Sequence, residues 1–315
     1  MDTTLRRKLQ ALGRDVSPTL LQETRALFAE LHRDVDARAA NVRRDLDYGP
    51  DPRHRLDVFE PGAGTAAADA PSAAANARRP VLIFVHGGGF VMGDKTTPGS
   101  PFYDNVGHWA AARGWIGVTM TYRLAPAHPW PSGAEDVGAA VRWVLANIED
   151  FGGDPDSVFL MGQSAGAVHA ASFIAFPAFQ GPRGSGLAGA VLLSGIYDLP
   201  SADRNDVLAA YFGADDRVYA ERSSLPGLVQ TDLPLLTTVA ELDGDDFQRQ
   251  AALYVATSAK VRQRYPRMQY LSGHNHLSGV LQIGSPIDTL GPEIERFVAA
   301  VVEGRAARAR RAQGS

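Results

Sequence analysis

Residues 158–166 read Val-Phe-Leu-Met-Gly-Gln-Ser-Ala-Gly, a short apolar run that ends in the pattern Gly-x-Ser-x-Gly. The apolar run predicts a buried strand, and the alanine-rich segment 165–178 behind it predicts a helix. A serine at such a junction lies in a sharp turn, where the two flanking glycines avoid a clash between strand and helix. Because this strand–turn–helix context gives the pattern its chemical meaning, we predict that Ser164 is a nucleophile.

A second glycine-rich motif, His-Gly-Gly-Gly-Phe at 86–90, follows the apolar run 81–85. Successive glycines let backbone N–H groups come close to a substrate and point at one oxygen atom. We therefore predict an oxyanion hole formed by the amides of Gly88 and Gly89, together with the amide of Ala165 after the nucleophile. A phosphate-binding loop is less favoured, because the glycines match neither the dinucleotide motif nor a P-loop.

A serine hydroxyl needs a base to remove its proton, and histidine is the usual one. In chains with this strand–turn–helix motif the histidine comes last, after the serine and an acid. Only His274 and His276 satisfy that order, since His169 lies on the helix behind the serine and the others precede it: His32, His54, His86, His108 and His128. We favour His276, because it adjoins the apolar Leu277, and keep His274 as the alternative base. The pair lacks further ligands at metal spacing, so no metal site is predicted.

The acid that orients the histidine is expected after the apolar run 235–239. Asp243 follows that run, and the glycine behind it permits the tight turn that aims a carboxylate sideways. Asp245 and Asp246 are interpreted as cap and first-turn residues of the next helix. Asp198 remains the reserve acid.

Strand and helix patterns alternate along the chain. Apolar runs predict strands at 56–59, 81–85, 115–120, 158–161, 191–193, 235–239 and 268–271. Helical spacing predicts helices at 134–148, 165–178, 247–264 and 294–302, and one that begins at Ser17 and Pro18; Asp136 is expected in the first turn of the helix at 134–148. Such alternation predicts an α/β fold in one domain, with a mostly parallel central sheet flanked by helices on both faces.

Composition restricts the function classes. The chain has 315 residues, 45% of them hydrophobic, and a net charge of −4, which favours a small-molecule substrate and argues against nucleic acid or an anionic membrane as partner. It contains no cysteine, so disulfides, thiolate metal sites and cysteine nucleophiles are excluded. No apolar stretch has the length of a secretion signal core or a membrane span, and we expect a cytoplasmic protein.

The motifs together resemble the α/β-hydrolase superfamily and, within it, the hormone-sensitive-lipase-like carboxylesterases. The resemblance rests on four segments that occur in the family's order and spacing: 86–89, 122–131, 153–155 and 162–166. It covers about 47–297 and is weakest over 62–79 and 200–225. It implies the α/β-hydrolase fold and catalysis without a cofactor.

The same resemblance implies a domain organisation. Residues 1–45 would form an N-terminal helical segment and contribute to a small helical cap, and 46–304 would form the catalytic domain. An insertion at about 198–230 would complete the cap, and 305–315 would be a basic tail. Phe90, Val91, Trp130 and Tyr197 are candidates for the substrate pocket.

Two segments differ from the common family pattern. Residues 243–247 and 194–199 look more like the arylformamidase branch, and His-Asn-His-Leu at 274–277 replaces the usual His-Gly-Phe. The predicted function is therefore a serine carboxylesterase for small to medium acyl esters that works through an acyl-enzyme. The alternatives are an arylformamidase-type hydrolase of N-formylkynurenine-like substrates and a non-catalytic ligand-binding protein of the same fold.

Overall fold

The computed structural model describes residues 1–33, 40–62, 78–182 and 184–313. Most of the segment 62–79 that the sequence suggests is an inserted loop lies outside the described residues. The centre of the molecule is one eight-stranded sheet with the strand order β1-β2-β4-β3-β5-β6-β7-β8. The strands are β1 (Ala40–Asp47), β2 (Arg55–Pro61), β3 (Arg79–Val85), β4 (Ile116–Met120), β5 (Gly153–Gln163), β6 (Gly189–Leu193), β7 (Leu235–Leu242) and β8 (Met268–Asn275).

The sheet is parallel from β4 to β8, whereas β1 and β2 run antiparallel at one edge. The first strand has no counterpart among the predicted strands, because Arg43, Arg44, Asp45 and Asp47 interrupt any apolar run. The prediction of a mostly parallel sheet is confirmed.

Helices cover both faces of the sheet. They are α1 (Thr3–Ala11), α2 (Pro18–Ala29), α3 (Asp104–Ala112), α4 (Ser132–Asn147), α5 (Ala165–Ala175), α6 (Asp206–Phe212), α7 (Tyr219–Arg222), α8 (Leu225–Gln230), α9 (Asp245–Arg262), α10 (Ser278–Leu281) and α11 (Gly291–Gln313). The predicted start of α2 is confirmed, since the Ser17 hydroxyl accepts a hydrogen bond from the Leu20 amide and Pro18 takes the first helical position. Among the described residues, no helix is both long enough and apolar enough to cross a bilayer.

The alternation of side chains along β3 divides the core into two layers. Val81, Ile83 and Val85 pack with residues of α4, α5, α8 and α9 on one face. Leu82 and Phe84 pack with residues of α1, α2, α3 and α11 on the other. Each fully buried side chain of this kind contributes roughly 1.5–3 kcal/mol to folding, so both layers hold the strand ends in place.

Helix boundaries differ from the predicted ones where polar residues extend a helix. Helix α4 begins at Ser132, so Asp136 lies beyond its first turn and contacts His54 and Arg123 instead of the helix end. Residues 305–313, interpreted as a basic tail, continue α11, because alanine and arginine are strong helix formers.

Candidate active site

Ser164 occupies a strained turn between β5 and α5. Its backbone angles are φ 54° and ψ −121°, a conformation that side chains rarely adopt. A Cβ on Gly162 would run into the backbone of Gly166, and one on Gly166 would run into the carbonyl of Val85. The turn is held by the Ser164 amide, which donates to Leu193 O at 2.9 Å. The two glycines are therefore a packing requirement of this turn, as the motif predicts.

The structure brings Ser164, His276 and Asp243 into one hydrogen-bonded chain. His276 Nε2 lies 2.8 Å from Ser164 Oγ, and His276 Nδ1 lies 2.7 Å from Asp243 Oδ1. An imidazole that carries its proton on Nδ1 donates to the carboxylate and leaves Nε2 free to accept the serine proton. These side chains follow the carboxyl ends of β5, β8 and β7, and because the strands are parallel these ends lie on the same side of the molecule.

The second oxygen of Asp243 has partners that sequence reasoning missed. Ser194 Oγ and the Ala240 amide both donate to Asp243 Oδ2, each at 2.7 Å. Asp243 is completely buried, so these donors and His276 replace the water that a carboxylate would otherwise bind. Ser194 follows β6 with φ 48°, and its only sequence signal is its place in the segment 194–199.

The imidazole of His276 is fixed from two further directions. Gln163 Nε2 donates to the carbonyl of His276 at 3.1 Å. The ring of Phe247 lies 4.2 Å from the imidazole, centroid to centroid. Leu277, which sequence reasoning placed beside the ring, belongs to the core layer of α2 and α11. The two residues that support the base, Gln163 and Phe247, therefore lie on other elements than His276. The sequence motifs assign a supporting role to neither of them.

The structure does not bring His274 to the serine. Its Nδ1 lies 3.0 Å from Ser278 Oγ, and its ring is close to Phe28. Burial lowers the pKa of His274 to about 4, so this imidazole is neutral at pH 7. Among the described residues it forms no hydrogen bond to Ser164 or Asp243.

The remaining acidic candidates also have other partners. Asp198 caps a short 3₁₀ turn by accepting from the Ser201 amide. Asp245 and Asp246 lie in the first turn of α9, as expected, but the cap position belongs to Gly244, which offers no side chain. Asp246 accepts from the Asp203 amide at 3.0 Å, and this bond ties α9 to the segment after β6. None of these carboxylates is hydrogen-bonded to the imidazole of His276 within the described part of the chain.

The three predicted oxyanion donors are available for a ligand. In the described residues, the amides of Gly88, Gly89 and Ala165 donate no hydrogen bond to other protein atoms. Gly88 and Gly89 have φ values of 140° and 57°, and a Cβ on Gly88 would run into the carbonyl of Met92. Free N–H groups beside a nucleophile suit an oxyanion, because such a ligand supplies the acceptor that they lack.

His86, the first residue of the glycine-rich motif, anchors the loop by its buried side chain. It is fully buried, its ring stacks on that of Tyr122 at 4.4 Å, and the Tyr122 hydroxyl donates to its carbonyl at 2.9 Å. Burial lowers the pKa of His86 to about 3. A permanently neutral imidazole at this position acts as a packing element of the loop and not as a base.

An apolar cluster lies beside the serine, and we call it the nucleophile-side cluster. It consists of Phe90, Ala125, Ala165, Val168, Ile196, Leu199, Ala202, Leu208, Tyr211, Phe212 and Tyr219. Phe90 stacks on Tyr211 of α6 at 4.7 Å, and Val91 and Trp130 pack against the cluster from outside. Tyr197 does not belong to it: its ring is buried in the core layer of α4 and α5 and meets Tyr254 at 6.0 Å. The structure thus places the ring of Tyr197 in this core layer and not in the nucleophile-side cluster.

Val207 of α6 reaches the glycine loop from the same side. It is 38% exposed, and its methyl groups lie 3.6–3.7 Å from the position that a Cβ on Gly89 would take. No group of three or more His, Asp or Glu residues within the described chain could hold a metal ion.

Comparison with known proteins gives three kinds of similarity. A family model described as alpha/beta hydrolase fold matches residues 82–268. Esterase LipQ of Mycobacterium tuberculosis is 30% identical over 207 residues, which cover 63% of this chain and 46% of the relative. Carboxylesterase NlhH of the same organism is 43% identical over 89 residues, which cover 28% of this chain and 26% of the relative. The alignments thus cover less than half the length of these two relatives.

Among solved structures, esterase B from Lactobacillus rhamnosis superposes with a TM-score of 0.72 at 19% identity, covering 98% of each chain. At this level of identity the likeness concerns the fold.

Proposed function

Since the chain belongs to the alpha/beta hydrolase fold family, we propose that it is a serine carboxylesterase that hydrolyses small to medium acyl esters without a cofactor. The observation that carries the proposal is the hydrogen-bonded chain from Ser164 Oγ through His276 to Asp243, with distances of 2.8 and 2.7 Å. Esterase and carboxylesterase are also the names of the relatives that match.

The first half of the reaction forms an acyl-enzyme. Ser164 Oγ attacks the ester carbonyl while His276 Nε2 takes its proton, and the carbonyl oxygen becomes an oxyanion. The amides of Gly88, Gly89 and Ala165 donate to that oxygen. His276 then returns the proton to the alkoxide, the carbon–oxygen ester bond breaks, and the alcohol leaves.

The second half returns the free enzyme. His276 removes a proton from water, the resulting hydroxide attacks the acyl-enzyme carbonyl, and the proton goes back to Ser164 as the carboxylic acid leaves. Asp243 stabilises the imidazolium that forms in each half and holds the ring in one orientation. Because Ser194 and the Ala240 amide both donate to Asp243 Oδ2, the carboxylate stays aimed at His276 throughout.

The nucleophile-side cluster supports a limit on substrate size. Phe90, Tyr211 and Phe212 form close ring contacts with centroid distances between 4.7 and 5.7 Å. Val207 adds an apolar surface next to Gly89. A closely packed aromatic wall beside the nucleophile favours short acyl groups, because a longer chain has to displace rings that already fill their space.

The test compares initial rates of p-nitrophenyl butyrate hydrolysis by the wild type and Ser164→Ala, purified in the same way. The proposal expects turnover by the wild type and its loss in the variant. Wild-type turnover that survives unchanged in Ser164→Ala would disprove the assignment of the nucleophile. If the wild type is inactive on esters but cleaves N-formylkynurenine, the ester proposal fails and the formamide alternative replaces it.

A further inference from the structure

A cavity lies at the amino-terminal ends of the parallel strands, opposite the end at which Ser164 lies. It has a volume of about 1020 Å³ and is bordered by the amino-terminal end of β7, the second half of α9 and the middle of α11. Because Ser164, Asp243 and His276 all follow the carboxyl ends of parallel strands, and the cavity borders the amino-terminal ends of these strands, the length of the strands separates the cavity from the three residues. We call this cavity the arginine groove.

The floor of the arginine groove is apolar and recessed. Leu187, Leu228, Val229, Tyr254 and Phe297 line it, and each is less than 8% exposed. Ligand sites of this size are commonly lined by apolar side chains with a few polar groups that fix the orientation of the ligand. The floor therefore suits a hydrocarbon chain rather than a polar molecule.

The rim of the groove is strongly basic. Arg262, Arg264, Arg267, Arg305 and Arg308 line it, with Asp232 as the acidic residue among its lining residues. Arg262 is already engaged, because it pairs with Asp232 and donates to the carbonyls of Val229 and Thr231. In the described chain, the other four arginines form no ion pair within 4 Å. Arg264 contributes to lowering the pKa of Asp232, and the guanidinium group of Arg267 contacts the ring of Phe297 at 5.4 Å.

This concentration of positive charge opposes the charge of the whole chain, which is −4. Unpaired arginines close together repel one another unless an anion joins them. The guanidinium group matches the two oxygens of a carboxylate or phosphate, so it is well suited to an anionic head group.

We propose that the arginine groove binds a single-chain anionic amphiphile, whose hydrocarbon chain lies on the apolar floor and whose carboxylate or phosphate head pairs with the free arginines. A recessed floor favours one detached chain over a flat lipid surface, since the buried rings of Tyr254 and Phe297 lie below the rim. The inference is independent of the proposed esterase activity, which uses residues at the carboxyl ends of the strands.

The first experiment measures binding of dodecanoate and dodecyl phosphate to the full chain by isothermal titration calorimetry. The triple variant Arg264→Gln, Arg305→Gln and Arg308→Gln should weaken binding about tenfold or more, because it removes three charged donors. The matched control is Arg7→Gln, Arg33→Gln and Arg217→Gln, which removes the same charge from exposed positions outside the groove. Ala300→Phe, at an exposed lining position of α11, should weaken binding while keeping every arginine.

The second experiment locates the ligand. A dodecanoate with a terminal diazirine is irradiated with the protein, and the labelled peptides are identified by mass spectrometry. The proposal expects labels in 228–235 or 297–308. Hydrolysis of p-nitrophenyl butyrate by the triple variant is measured in parallel and should equal the wild-type rate, since none of these arginines contacts the serine edge.

Several outcomes overturn the proposal. They include the absence of saturable dodecanoate binding, and an affinity of the triple variant equal to that of the wild type. Labels confined to the neighbourhood of Ser164 would also overturn it. So would an affinity for dodecyltrimethylammonium equal to that for dodecanoate, because this amphiphile carries a positive head group. Equal affinity for inorganic phosphate would remove the role of the floor. Arginine-dependent binding to phosphatidylglycerol vesicles without binding of dodecanoate would assign the surface to a membrane instead.

Discussion

Ser194 Oγ donates a 2.7 Å hydrogen bond to Oδ2 of Asp243, the carboxylate oxygen that His276 does not use. Both side chains are buried, so water cannot replace this donor if it is removed. The serine thus fixes the orientation of the acid and, through it, that of the base. The sequence motifs do not predict this role, because Ser194 follows a different strand from the three triad residues and belongs to no catalytic motif.

Removal of this hydroxyl should slow the reaction without changing substrate binding. For Ser194→Ala we expect kcat to fall about tenfold with KM nearly unchanged, as a hydrogen bond to a charged group contributes about 1.5–3 kcal/mol. Ser194→Gly should show the same loss, although glycine relieves the φ of 48°. Steady-state kinetics with p-nitrophenyl butyrate measure both values. Ser258→Ala, at a buried serine remote from the triad, is the control, and an unchanged kcat in both Ser194 variants would contradict the role.

The two neighbouring histidines should differ sharply on substitution. His276→Ala should lower kcat by about a thousandfold or more, because it removes the base that contacts Ser164. His274→Ala should keep most of the activity and lose stability instead, since its ring is packed beside Phe28. Kinetics and thermal unfolding of both variants are measured together. An inactive but stable His274→Ala would reverse the assignment of the base.

The turn around Ser164 should be intolerant of a single methyl group. Gly166→Ala places a Cβ against the carbonyls of Val85 and His86, so we expect a loss of about 1–3 kcal/mol in the free energy of unfolding. Gly304→Ala is the matched control: it lies in α11 with no atom within 4 Å of the new Cβ and should stabilise the helix by up to about 1 kcal/mol. Urea unfolding gives both values. Equal stability of the two variants would show that the turn relaxes freely.

His169 should make the fold sensitive to acid. Burial among Phe90, Tyr122 and Tyr211 lowers its pKa to about 3 from the usual 6.5, and neither ring nitrogen has a hydrogen-bond partner in the described structure. The unfolded chain therefore binds a proton between pH 6.5 and 3 that the folded chain does not. The stability contributed by the neutral ring is present above pH 6.5 and is lost as the pH falls below it.

The corresponding measurement is the free energy of unfolding at pH 7.5 and at pH 5 for the wild type and His169→Leu. The loss between these two pH values should be smaller in the variant by about 1–2 kcal/mol, because each pH unit below the unfolded pKa costs about 1.4 kcal/mol. Parallel pH dependence in the two proteins would mean that His169 is protonated in the fold.

Most of the architecture could be predicted from the chain alone. Strands β3 to β7 contain apolar runs that predict them, and β8 is predicted as well, although Gln269 interrupts its pattern and Tyr270 is exposed. The family resemblance based on 86–89 and 162–166 is confirmed by the matching family model. Strand β1 was missed, because an edge strand paired on one side tolerates the charges of Arg43 and Arg44. Hydrophobic periodicity reveals a strand through its buried positions, and most described side chains of β1 are exposed.

The candidate site likewise contains residues that the sequence predicts and residues that it does not. Ser164, Asp243 and His276 were chosen from motif spacing and chain order, and the structure brings these three residues together. Gln163 and Phe247 were not foreseen, since their contacts with His276 depend on how strands and helices meet in space. Tyr197 packs in the core layer of α4 and α5, whereas Phe90 packs beside the serine, because an aromatic residue next to a motif can turn toward either side and spacing does not distinguish the two.

The bond from Gln163 to the carbonyl of His276 links the residue before the nucleophile to the base itself. The loop after β8 is therefore tied directly to the end of β5. The base and the nucleophile are thus joined twice, once through their own side chains and once through the amide of Gln163, although they lie on different strands.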